Sequence, residues 1–256
     1  MGEAMVRSML AREVAGSEAI VVSDVRAERL SKLKNDYGLC TERDNRQALQ
    51  GADVVVLAVK PQELGRLMEE LSGAFNPDQL VVSIIAGATI ATIAKGLKHG
   101  AVIRAMPNTP AQIGQGITVW TASSGVSESQ KDAARSILAA LGSEVFVTDE
   151  SLIDMATAVS GSGPAYFFLV MEALTDAATD IGLPREIAEK LVSGTALGAS
   201  RLVQETGEHP SALRQMVTSK GGTTERGLQQ LEHGGLRALI AQAVAAAYKR
   251  AKELGS

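Results

Sequence analysis

Aromatic residues are scarce in this chain: four Phe, three Tyr and one Trp among 256 residues. A stacking surface for single-stranded nucleic acid needs several close together, and a net charge of -4 leaves no basic footprint for a phosphate backbone. Cysteine is limited to Cys40, which excludes an intrachain disulfide, and three histidines provide no zinc-type spacing. No metal site is expected. No apolar run approaches the roughly 18 to 20 residues that span a bilayer. Glu3, Arg7, Arg12 and Glu13 interrupt the stretch where a signal peptide would carry its apolar core. The expectation is a chain in a reducing cytoplasm, with neither nucleic-acid nor membrane partners. What is present, 45% hydrophobic and 21% charged residues, is ordinary globular composition able to bury a sizeable core.

Residues 1–149 alternate short β-branched runs with polar segments of helical spacing. The runs lie at 19–23, 53–59, 80–85, 102–105, 117–121 and 145–148, the rhythm of a parallel α/β sheet. Val54 to Val59 lacks polar alternation, as expected of a central strand covered on both faces. In such sheets ligands bind at the carboxyl ends of the strands. Those ends read Ser23-Asp24-Val25-Arg26, Ala58-Val59-Lys60-Pro61, Ala86-Gly87 and Met106-Pro107-Asn108-Thr109-Pro110. From residue 150 the β rhythm stops, and 150–256 reads as all-α, with helices at 164–181, 185–205, 210–217, 224–232 and 235–253. Small residues crowd 193–200 and 241–247. Helices bearing so much small and apolar surface are expected to finish their core in a partner subunit, with packing inside the chain as the alternative.

A dinucleotide-binding sheet begins with a strand running into G-x-G-x-x-G. This chain opens at Met1-Gly2-Glu3-Ala4-Met5, as if only the last glycine and its helix remained. A first strand, about ten residues with its turn, is therefore expected ahead of Met1. Asp24 follows Gly2 at close to the roughly 20-residue interval at which an acidic side chain meets the adenosine ribose. Asp24 favours the free 2′-hydroxyl of NAD, whereas Ser23 and Arg26 suit the 2′-phosphate of NADP. The two cues conflict.

Between two predicted helices lies Ser219-Lys220-Gly221-Gly222-Thr223-Thr224. Paired glycines permit a tight turn, and the threonines are expected to cap the following helix and leave its first N–H groups for a small carboxylate. A plain interhelical Gly-Gly turn is the alternative.

Six segments carry a family resemblance: MGEAM at the start, AVKP at 58–61, IRAMPNTP at 103–110, SGSGPAY at 160–166, ETGEHP at 205–210 and VTSKGGTT at 217–224. Together they resemble the pyrroline-5-carboxylate reductases, over essentially the whole chain. The resemblance implies a Rossmann domain, 1–149, and an all-helical substrate-binding and dimerisation domain, 150–256, through which two subunits interlock, within larger rings such as decamers. It also implies reduction of 1-pyrroline-5-carboxylate to L-proline, with NADPH (or NADH) as coenzyme.

On the coenzyme side the resemblance points to Gly2 as the final pyrophosphate-loop glycine, with Ser23, Arg26 and Asn45 at the adenosine half. Ala58, Val59, Lys60 and Pro61 would line the coenzyme with backbone, Ala86 and Gly87 would lie beside the nicotinamide ribose, and Asn108 and Thr109 would orient the nicotinamide. On the substrate side it makes Gly222, Thr223 and Thr224 the carboxylate cradle, with the Thr224 hydroxyl reaching the ring nitrogen and Glu150 and Ser162 nearby. Glu150 reads equally as a helix-start carboxylate. Lys220, Glu225 and Arg226 depart from the family pattern and are expected to leave the amide donors in place.

The chemistry needs no covalent nucleophile. A cyclic C=N accepts hydride at carbon once its nitrogen is protonated or hydrogen-bonded, with donor and acceptor carbons roughly 3 to 3.5 Å apart. Consistently, His99, His209 and His233 form no acid/base constellation, and Trp120, Cys40, Met171 and Met216 read as packing residues. Two rivals stand beside this reading. A β-hydroxyacid dehydrogenase would carry a catalytic lysine on a helix near the domain junction, and Tyr166 to Ile181 has none. A non-catalytic nucleotide-binding protein would follow if the first strand were truly absent.

Overall fold

The computed structural model describes residues 1–255 and divides into two compact units, Met1–Ser162 with the C-terminal segment from Ala246, and Gly163–Ala245. In the first unit α1 (Gly2–Ala11), β1 (Val21–Ser23), α2 (Ala27–Tyr37), β2 (Cys40–Glu42) and α3 (Asn45–Ala48) precede β3 (Val54–Leu57). There follow α4 (Leu64–Leu71), β4 (Leu80–Ser83), α5 (Ile90–Leu97), β5 (Val102–Met106), β6 (Gly116–Ala122), α6 (Glu128–Ala139), β7 (Gly142–Phe146) and α7 (Ser151–Ala156). The strands form two sheets, β1-β2 and β3-β4-β5-β6-β7. The architecture is a Rossmann-like α/β layer followed by helices.

The larger sheet is a two-sided core. Every residue of β4 is buried, and alternate side chains feed opposite faces. Leu80 and Val82 join Met5, Ile103, Trp120 and Leu138, while Val81 joins Leu57, Leu67, Ile93, Leu97 and Val102. That is why these strands read as unbroken apolar runs. Helix α1 serves both sheets: Met5 packs in the first cluster, and Val6 meets Leu33 and Leu39 beneath β1-β2.

Three expectations are corrected here, and one strand was missed. Val54 to Val59 is not a central strand: β3 is an edge of the larger sheet, with Val54, Val55 and Val56 half-buried. The sheet is not wholly parallel, because β6 runs antiparallel to β5. The connection over 107–115 is shorter than the dozen or so residues a parallel crossover requires. Strand β2 escaped the sequence reading because Cys40-Thr41-Glu42 is short and polar, and it pairs only with β1. Cys40, expected in packing, is consequently exposed on this small sheet.

The second unit contains α8 (Gly163–Asp180), α9 (Arg185–Thr206), α10 (Pro210–Met216), α11 (Thr223–His233) and the first half of α12 (Leu236–Gly255). All five predicted helices are present within a residue or two. The sequence boundary at 149/150 follows the end of the β rhythm, whereas by compactness α7 and a π-helical turn at Thr157–Gly161 stay with the sheet. Helices α8, α9 and α12 leave Phe167, Phe168, Leu169, Leu174, Leu191 and Ile240 exposed. Met216, read as a core filler, is exposed as well. No described helix is long and apolar enough to cross a membrane.

Candidate functional site

The coenzyme-side candidates cluster at the strand ends of the first unit. Gly2 opens α1, and a Cβ there would meet the Ala58 Cβ at 3.3 Å. The helix start therefore lies directly against the residue that follows β3. No side chain caps α1, so its first-turn N–H groups and dipole remain free for an anion. Ala58, Val59 and Lys60 are exposed beyond β3, and Pro61 starts a short 3-10 turn. Lys60 has no ion-pair partner among the described residues, in keeping with a solvated or phosphate-facing charge. This close, uncapped arrangement fits a dinucleotide.

Ser23 ends β1, where its hydroxyl donates to Asn45 Oδ1 at 2.5 Å. Asn45 opens α3 and donates through Nδ2 to the two Glu70 oxygens at 3.0 and 3.1 Å. Asp24 accepts from the Arg26 backbone N–H at 2.9 Å and from its guanidinium at 3.2 and 3.3 Å. Burial raises the Asp24 pKa, but the Arg26 hydrogen bonds and charge outweigh it and hold the carboxyl below its usual range. The structure thus joins the two conflicting coenzyme cues as an ion pair.

Other candidates have their polar groups engaged within the protein. The buried Asn108 accepts from the Ile117 N–H at 2.9 Å and donates to the Ser160 carbonyl at 3.2 Å. Its amide fixes the proline-bounded turn in place, and Thr109 is exposed beside it. Gly87, at φ +79°, is buried against the end of α12, and a Cβ there would lie 2.6 Å from the Leu254 carbonyl carbon. Ala86 is half-buried next to it. Glu150 Oε1 accepts from the Ile90 N–H at 2.8 Å and from Arg104 Nη1 at 3.1 Å. Its carboxylate thus serves the start of α5, not the first turn of its own helix, α7. Ser162 closes the π-helical turn, its N–H donating to the Thr157 carbonyl at 2.8 Å. Gly161 lies against Met106, where a Cβ would come within 3.1 Å of the methionine methyl.

Sequence reasoning missed Arg104 and Glu70. Arg104 had a signal, a lone charge inside the apolar strand Val102–Met106. It is buried and pairs with both Glu150 and Asp154. Glu70 had none, since one Glu in a polar helical stretch reads as a solvated face.

In the second unit, the turn 219–224 joins α10 to α11. Gly221 takes φ +75°, and the Gly222 N–H donates to the Ser219 carbonyl at 3.0 Å. The expected threonine cap is corrected: Gly222 is the N-cap, with no side-chain cap bond, and Thr223 and Thr224 are the first two helical residues. Extended backbone at Gly222 places the threonines one step too late to cap. Both are exposed, and among the described residues their hydroxyls have no hydrogen-bond partner. Their N–H groups, with that of Glu225, are the uncapped first turn of α11. Glu225 Oε2 accepts from the Gly221 N–H at 2.8 Å, a donor outside the expected cradle of Gly222, Thr223 and Thr224.

His99 and His209 are structural. His99 is buried, with Nε2 at 2.6 Å from the Gln79 carbonyl, and stacks on Phe75. His209 caps α10 by accepting from the Ser211 N–H at 3.2 Å. Trp120 is fully buried and donates to Glu144. Among the described residues no group of His, Cys, Asp and Glu could hold a metal ion.

Residues 150–254 match the family described as pyrroline-5-carboxylate reductase dimerisation, and residues 1–87 match that described as NADP oxidoreductase, coenzyme F420-dependent. A pyrroline-5-carboxylate reductase of Synechocystis is 44% identical, the match covering 100% of this chain and 95% of the relative. The solved structure of such an enzyme from Coxiella burnetii is 42% identical with a TM-score of 0.90, covering 100% of this chain and 95% of that one. The Plasmodium falciparum pyrroline carboxylate reductase, solved with NADP bound, is 27% identical with a TM-score of 0.91 and the same coverage.

Proposed function

The chain belongs to the pyrroline-5-carboxylate reductase family, and from that premise we propose how its own residues carry the reaction. It is an NAD(P)H-dependent oxidoreductase of proline biosynthesis, reducing 1-pyrroline-5-carboxylate to L-proline. Reduced nicotinamide, when bound, supplies the hydride.

The start of α1, with Gly2 against Ala58, holds the pyrophosphate by backbone N–H groups and helix dipole. Ser23, Asp24, Arg26 and Asn45 receive the adenosine ribose. Val59, Lys60, Pro61, Ala86, Gly87 and Thr109 complete the coenzyme-side surface, and Asn108 holds its turn rigid. On the substrate side the N–H groups of Thr223 and Thr224 receive the carboxylate at the start of α11, and Gly222, its own N–H held by the Ser219 carbonyl, supplies the turn that exposes them. The Thr224 hydroxyl steadies the ring nitrogen and keeps its proton in place. Ser162 and Glu150 belong to the substrate region, Glu150 by anchoring the start of α5.

The observation that carries the substrate assignment is the uncapped first turn of α11, whose N–H groups and threonine hydroxyls are free of intrachain partners. Thr224→Ala tests it. We expect kcat/KM for 1-pyrroline-5-carboxylate to fall by about tenfold to a hundredfold, the size of one hydrogen bond to a charged group, with little change in Tm. Unchanged kcat/KM refutes the role.

The exposed apolar residues of α8, α9 and α12 support a homodimer closed through the helical unit, with the decamer as the larger assembly. The proposed compartment is the cytoplasm, consistent with a lone, unpaired Cys40.

A further inference from the structure

Three side chains at the end of β1 form a row whose hydrogen-bond direction is fixed from one end. A carboxylate only accepts, so the Asn45 atom facing Glu70 must be Nδ2, which donates to both Glu70 oxygens. The other end of that amide is therefore oxygen, and it faces Ser23. The Ser23 proton is spent on Asn45 Oδ1 at 2.5 Å, leaving Ser23 only lone pairs to offer outward. Asp24, the next residue, is an acceptor too. The cation beside them, Arg26, is engaged by Asp24 through its backbone N–H and two guanidinium nitrogens. Arg46 directs its Nε to the Glu70 carbonyl oxygen at 2.8 Å.

We infer that Glu70 selects the coenzyme: by fixing the direction of the Ser23–Asn45 row it makes the ribose 2′ subsite a hydrogen-bond acceptor, and the chain therefore takes NADH in preference to NADPH. The inference rests on the coenzyme reading above. A 2′-hydroxyl can donate to Ser23 and Asp24, whereas a 2′-phosphate offers acceptor oxygens and negative charge to a surface already made of acceptors. A 2′-phosphate would find only the guanidinium donors of Arg26 that Asp24 leaves unused, on a charge that Asp24 already offsets, and no donor from Ser23, because Glu70 forbids the row to reverse. Glu70 is a positioning residue that acts through Asn45 and Ser23.

The test uses the full chain and its Glu70→Gln variant, measuring Kd for NAD⁺ and NADP⁺ by calorimetry beside kcat/KM for both reduced coenzymes. A glutamine can donate to Asn45, so its amide can turn and free the Ser23 hydroxyl to donate outward. The wild type is expected to bind NAD⁺ about tenfold more tightly than NADP⁺, and Glu70→Gln to shrink that ratio by about tenfold, one charge-assisted hydrogen bond in each case. Asp24→Asn should move the ratio the same way by removing charge. A wild type that prefers NADP⁺ overturns the inference. So does an unmoved ratio in Glu70→Gln with a lowered Tm, which would make Glu70 a tie between α3 and α4 only. Failure of the wild type to bind either coenzyme would refute the coenzyme reading itself, and this inference with it.

Discussion

Arg104 and Glu150 are joined across 46 residues of sequence, Nη1 to Oε1 at 3.1 Å, and the same carboxylate oxygen accepts the Ile90 N–H at 2.8 Å. The second arm of Arg104 reaches Asp154. One buried guanidinium thus pins α7 to the sheet, and Glu150 pins α7 to the start of α5, adding a negative charge at the positive end of that helix's dipole.

Removing Arg104 would leave two carboxylates without their partner. Arg104→Leu should destabilise the protein by about 2–3 kcal/mol, the loss of hydrogen bonds to charged groups, since the two carboxylates left behind are partly solvated. Glu150→Gln, which keeps an acceptor for Ile90, should cost about 1 kcal/mol. Urea unfolding of both variants checks the order. Equal small losses would mean that the network is solvated and weak.

Much of this was legible in the sequence. The unbroken run at 80–85 announced a buried strand, because its side chains alternate between two equally apolar clusters, whereas the run at 54–59, expected to be central, formed the edge strand β3 with Val54, Val55 and Val56 only half-buried. Pro164 marked a helix start, and Gly182-Leu183-Pro184 and Gly207 with Pro210 marked the breaks between helices of the second unit. Arg104 sat in view as a charge inside such a run. Glu70 was not legible, since its meaning depends on Asn45 being folded against it. Glu225 was legible as a departure from the family pattern, but its bond to the Gly221 N–H was not, since that depends on the turn being folded. The direction of β6 could have been read from its short connection to β5.

Two glycines give opposite predictions. Gly87 sits at φ +79° with a Cβ position 2.6 Å from the Leu254 backbone, so Gly87→Ala should cost about 1–3 kcal/mol from strain and clash. Gly65, in α4 with open space around it, should gain up to about 1 kcal/mol as alanine through helix propensity and a less mobile unfolded chain. Thermal unfolding of both variants distinguishes them. A harmless Gly87→Ala would mean that the end of α12 does not rest there.

Acid should loosen the link between α1 and α2. Burial pushes the Glu3 carboxyl up, but hydrogen bonds from Arg29 and Tyr37 and the charges of Arg29 and Lys32 outweigh it, leaving the folded value below the ordinary 4.5. A depressed carboxyl stabilises the fold above its unfolded value and loses that contribution as pH falls through the folded one. Glu3→Gln should therefore lower Tm modestly, by the equivalent of about 0.5–1 kcal/mol for a surface network, at neutral pH, and the deficit should shrink as pH falls below the ordinary value and vanish once pH is below the depressed folded one. A deficit independent of pH would assign Glu3 to packing.

The central claim is tested by the initial rate of reduced-coenzyme oxidation by this chain with 1-pyrroline-5-carboxylate, with proline measured in the same samples. The account predicts oxidation that depends on the imine and forms one proline per coenzyme consumed. Absence of imine-dependent oxidation with both NADH and NADPH would contradict it.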